Sequence, residues 1–78
     1  MSSLFQHEAR RGGKVVAILR GVPTPDGGVT VETELFPAGK GPAESITRPF
    51  SFPSRSQASR FTDEALLCLQ YLDCEISE

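Results

Sequence analysis

Between Val22 and Val29 the chain reads Pro-Thr-Pro-Asp-Gly-Gly. Two prolines set φ near about −65°, and the glycines that follow Asp26 supply the positive φ of a tight reversal. The segments on either side are strands. Lys14 to Val22, "KVVAILRGV", is rich in β-branched residues and too short for a helix. Val29 to Phe36, "VTVETELF", sets Val29, Val31, Thr33 and Leu35 against Thr30, Glu32, Glu34 and Phe36, a period of two. A reversal between two such runs makes an antiparallel pair, and the rest of the chain must be built around it.

Beyond Phe36, "PAGKGPAE" holds two prolines and two glycines and reads as a loop. "SITRPFSF" then puts Ile46, Phe50 and Phe52 on one face and Thr47, Pro49 and Ser51 on the other; Pro49 has no N–H to donate, which confines this strand to a sheet edge. At the start, residues 1–13 read as a further strand that turns at Gly12-Gly13 into "KVVAIL", or as a frayed arm.

The C-terminal third reads as a helix. Ser54 and Gln57 match a capping box, which starts the helix near Arg55. Ala58, Phe61, Ala65, Cys68, Leu69 and Leu72 recur at spacings of three and four and form one apolar stripe. Leu66, Leu67 and Tyr71 widen that arc beyond what one contact with a sheet needs. The expected fold is therefore α+β, a single domain over 1–78: an antiparallel meander of three to four strands with one C-terminal helix packed on one face.

A core of 78 residues rarely supplies more than about 3–5 kcal/mol without a staple. If one helix carries both Cys68 and Cys74, their Cα atoms lie about 9 Å apart along its axis, too far for a disulfide. Two unbridged thiols, and no apolar signal region after Met1, read as a cytosolic protein. The longest apolar run, Val15–Leu19, is far too short to cross a bilayer, so no membrane partner is expected.

No set of acid, base and nucleophile emerges from the spacing. His7 is the only histidine and reads as a solvated residue near a frayed terminus, Cys68 as core packing and Cys74 as a thiol near the helix end. His7, Cys68 and Cys74 match neither the ligand number nor the spacing of a structural zinc site. The expectation is a non-enzyme without cofactor or metal.

Charge is unevenly distributed. Residues 1–60 carry all eight basic side chains with five acidic ones, whereas residues 61–78 carry five acids and no base. A basic sheet could meet an anion or a nucleic acid through Arg10, Arg11, Lys14, Arg20, Lys40 and Arg48. Lys40 stands between two glycines, as in a backbone nest, but the P-loop spacing is absent. Arg55 and Arg60 crowd the start of the helix, where cations oppose its dipole and an anion would relieve them. The order of elements, a meander followed by one C-terminal helix, resembles the Whirly-type single-strand-binding domains; that resemblance implies dimerisation and nucleic-acid binding across the sheet. A net charge of −2 favours a different reading, a homo-oligomeric protein-interaction module with nucleic acid as the alternative partner.

The central strand indicates where such a module would pair. Val15, Ala17 and Leu19 alternate with Val16 and Ile18, so both of its sides look apolar, and one helix covers one face. A second copy is the expected cover for the other, with Val16 and Ile18 in the interface and Leu67 and Tyr71 on the helix as the competing contact.

Overall fold

The computed structural model describes residues 3–37 and 45–77. Its elements are β1 (Phe5–Arg11), β2 (Lys14–Pro23), β3 (Val29–Leu35), β4 (Ile46–Phe52), α1 (Arg55–Tyr71) and β5 (Glu75–Ser77). All strand pairs are antiparallel, in the order β4-β3-β2-β1-β5. The architecture is the expected α+β sheet and C-terminal helix, with one strand more than anticipated. The loop around Lys40 lies outside the described residues.

Each connection has a local cause. Gly12 and Gly13, at φ 61° and 80°, form the two-residue turn that brings Arg11 opposite Lys14. At the second reversal Gly27 takes φ 90°, the Thr24 amide donates to the Gly28 carbonyl at 3.0 Å and the Gly28 amide to Thr24 Oγ1 at 3.0 Å. The Thr24 hydroxyl also donates to the Asp26 carboxylate; this bond, with a further one from the Gly28 amide, holds the Asp26 pKa below its ordinary value. Pro49 sits in β4, an edge strand as its missing donor requires.

Helix α1 starts where the capping residues place it. The Gln57 amide donates to Ser54 Oγ at 3.3 Å, and the Gln57 side chain accepts from the same hydroxyl at 3.4 Å. The helix stops at Tyr71 rather than running on through Cys74. Asp73 at φ 66° turns the chain back, with Asp73 N–H bonded to the Gln70 carbonyl at 3.0 Å and Cys74 N–H to that of Leu69 at 3.1 Å. This is a Schellman ending with an aspartate where glycine is usual. The reversal frees Glu75–Ser77 to pair with β1 as β5, so the two cysteines share no helix; both are free thiols.

One face of the sheet carries the core. Ala9, Ala17 and Leu19 are buried with Ala65, Leu66, Leu69, Cys74 and Ile76 packed around them; Val29, Val31 and Ala58 form a second cluster with Phe5, Phe52 and Phe61. The N-terminal half of α1 thus lies over β3 and β4 and its C-terminal half over β1, β2 and β5, a diagonal crossing. Phe5 covers Gly21 so closely that a Cβ there would fall 2.2 Å from the ring, which explains a glycine inside a central strand. Two expectations for the helix stripe change. Cys68 is exposed, and Leu66 takes its place against the sheet; Leu72, past the last turn, is also exposed.

The other face is not the apolar surface that β2 alone suggests. Ile18 pairs with Glu8 and Glu34, and Arg20 with Gln6 and Glu32. Arg20 forms an ion pair with Glu32 at 3.6 Å, Thr30 and Ser51 hydroxyls meet at 3.0 Å, and Ser45 donates to Glu34 at 2.8 Å. The neighbouring strands therefore make this face polar, and Ile18 is half-buried among them. A β-bulge completes the correction: Ala9 pairs with Ala17 and Arg10 with Val15, so Val16 has no partner on β1 and packs against the core cluster. Val15 and Val16 thus leave the simple alternation.

Candidate interaction groove

Because α1 crosses diagonally, the corner formed by the end of β3 and the start of β4 stays uncovered. Thr33, Leu35, Arg48 and Phe50 lie on the core-side face there, since Thr33 pairs with Arg48, Val31 with Phe50 and Leu35 with Ile46. Phe61, Ala65, Cys68 and Leu69 of α1 close the opposite wall, with Ala17 and Leu19 on the floor. The result is an open groove of about 290 Å³. Its rim exposes large apolar side chains: Leu35 is 39% exposed, Ile46 and Phe50 each 43%. Phe50 is held by Phe61, with ring centroids 5.2 Å apart, which fixes it upright on the rim.

Two polar groups interrupt the lining. Arg48 brings the one charge of the groove, and Thr33 Oγ1 is buried without a hydrogen-bond partner among the described residues. A mainly apolar trough with a few oriented polar groups is the usual form of a recognition site. Nearby, the outward flank of α1 carries Leu67, Tyr71 and Leu72, with Tyr71 81% exposed.

The cations singled out in the sequence do not converge. Arg10 pairs with Glu8 and Arg20 with Glu32 on the outer face. Arg11 and Lys14 flank the β1–β2 turn, Arg48 lies in the groove on the core-side face, and Arg55 and Arg60 lie on α1. Lys40 lies outside the described residues. No continuous basic track of the kind that follows a nucleic-acid backbone is formed by the described cations.

His7 and the cysteines also differ from expectation. His7 stands inside β1 opposite Leu19, with Nδ1 buried and unpartnered, because it shares the core-side face with Phe5 and Ala9. Cys74 is half-buried against Ala9, Ala17 and Leu19, held there by the reversal after α1. Among the described residues no group of three His, Cys, Asp or Glu side chains is placed to hold a metal ion. No helix there is long and apolar enough to cross a membrane. The groove was not legible as a site in the sequence: Leu35, Phe50 and Cys68 all lie in core-type patterns, and only the crossing angle of α1 leaves them bare.

No family model, no curated protein and no solved structure matches this chain. The likeness to the Whirly-type domains accordingly rests on the order of elements alone.

Proposed function

We propose that this chain is a non-enzymatic protein-interaction module that pairs with a second copy of itself through the groove beside α1. The observation that carries the reading is an uncovered apolar corner, rimmed by Leu35, Ile46 and Phe50, on a protein whose buried core is small. The fully buried apolar residues are Leu19, Val29 and Val31 with three alanines, Ala9, Ala17 and Ala58. Oligomerisation is a common supplement to so slight a core. Both sheet edges are poor docking sites: β4 carries Pro49, and β5 has three residues. That leaves faces for recognition, and the outer face is polar.

Charge supports a second copy as the occupant. Arg48 is the groove's cation, while Asp63, Glu64 and Asp73 accompany the exposed Leu67 and Tyr71 on and just after α1, with no basic residue in its last turn. Helix flank of one copy to groove of the other joins apolar to apolar and acid to base. A cytoplasmic location belongs to the same proposal, since two free thiols suit a reducing compartment.

Sedimentation velocity across a concentration series tests it. Wild type is expected to show a reversible dimer, and Phe50→Glu a folded monomer with an unchanged circular-dichroism spectrum. A wild type that stays monomeric at millimolar concentration, or a Phe50→Glu variant that still dimerises, overturns the proposal. Binding of a single-stranded oligonucleotide, with affinity falling steeply as salt rises, would instead favour the nucleic-acid alternative.

A further inference from the structure

The other flank of α1 borders a second cleft, of about 230 Å³, and its chemistry is different. Leu4, Phe5 and His7 form one wall, and Arg55, Ser59 and Asp63 of α1, with Thr62, form the other. Positions 55, 59, 62 and 63 recur at helical spacing, so a single stripe of α1 points this polar set toward β1. Thr62 is already satisfied, its hydroxyl donating to the Ala58 carbonyl at 2.9 Å. The others are not. Arg55 and Asp63 carry opposite charges into one cleft, yet neither takes part in an ion pair among the described residues. His7 Nδ1 is buried there without a partner.

We infer that this cleft binds a small zwitterion, an α-amino acid or a dipeptide, between Arg55 and Asp63. The guanidinium of Arg55 and the hydroxyl of Ser59 donate to its carboxylate. Its ammonium donates to the Asp63 carboxylate and to His7 Nδ1, which is an acceptor when the ring proton is on Nε2. Leu4 and Phe5 offer an apolar wall to a side chain. Asp63 disfavours a bare anion and Arg55 a bare cation, so the pair of unlike charges selects a ligand that carries both. Arg55 also stands in the first turn of α1, where a cation opposes the helix dipole and a carboxylate beside it relieves that conflict. At about 30 Å³ per water the cleft has room for roughly seven waters, enough for a molecule the size of leucine.

An NMR titration of the full chain tests this with four probes. L-leucine and glycyl-L-leucine distinguish the two ligand sources, while 4-methylpentanoate and isoamylamine each keep one charge of leucine on the same carbon skeleton. The expected result is that leucine or the dipeptide shifts the resonances of His7, Arg55, Ser59 and Asp63, and that each single-charge probe binds at least about tenfold more weakly. Arg55→Gln and Asp63→Asn, both at exposed positions that keep the fold, should each raise Kd by at least about tenfold. The inference is overturned if neither zwitterion shifts these four residues at about 10 mM, or if 4-methylpentanoate or inorganic phosphate binds as tightly. Phe50→Glu, on the far flank of α1, should leave zwitterion binding unchanged, which separates this site from self-association.

Discussion

Two corners of one sheet face escape the helix, and they differ in kind. The corner at β3 and β4 is apolar but for Arg48 and Thr33, whereas the corner at the start of β1 is lined by His7, Arg55, Ser59 and Asp63. Both are by-products of the same diagonal crossing. Their contents are set by the two sides of one helical stripe: Phe61, Ala65, Cys68 and Leu69 look one way, Arg55, Ser59 and Asp63 the other. A short helix over a five-stranded sheet thus yields two unlike recesses separated by its own width, with Leu19 between them, paired to His7 on one side and Thr33 on the other.

Leu19 is the sharpest point at which to break that comparison. It is 1% exposed and packs beneath α1, so Leu19→Ala should destabilise by about 2–5 kcal/mol and blur both recesses. Leu35→Ala, in the same sheet face but on the bare rim, should change monomer stability by less than about 1 kcal/mol while weakening self-association. Urea denaturation at low and high protein concentration separates the two. Equal losses for both variants would mean that the groove corner is covered within the monomer.

The two ends of α1 fix where it crosses. Ser54→Ala removes the oxygen that accepts from the Gln57 amide, and should cost about 0.5–2 kcal/mol in the same denaturation measurement. It should disturb the cleft beside Arg55 before the groove, since Arg55 follows the cap directly. The effect at the far end has the opposite sign. Asp73 holds φ 66° just beyond the negative end of the helix dipole, so Asp73→Gly should stabilise by about 1 kcal/mol through relief of both backbone and charge. A thermal midpoint that falls instead would show that the Asp73 side chain is engaged in a contact of its own.

Much of this molecule could be read directly from its residues, and where the reading fails the cause is specific. Gly12-Gly13, Asp26-Gly27-Gly28, the alternation from Val29 to Leu35, Pro49 at an edge and Ser54 at a cap each act over a few neighbouring residues, so the strands, turns and helix start follow from local chemistry. β5 was missed because three residues hold no periodicity and because its turn uses Asp73 where a glycine would have signalled the stop. The apolar look of Ile18 misled because its cover comes from Glu8 and Glu34, residues ten and sixteen positions away that only strand pairing brings alongside. Val16 changed face because a bulge depends on the partner strand as much as on its own.

By itself, then, the sequence determined the class of fold, the order of its first five elements and the face on which the helix lies, since those depend on backbone preference and on burying one apolar stripe. Only the tertiary structure decided the angle at which α1 crosses. That angle is a compromise among the Phe52–Phe61 stack at 5.1 Å, Ala58 over Val29 and Val31, and Leu66 and Leu69 over Ala9 and Ala17. Helix–sheet packing is a many-body balance of side-chain volumes, and it is this balance that leaves Phe50 on a bare rim and sets His7 beside Arg55 and Asp63.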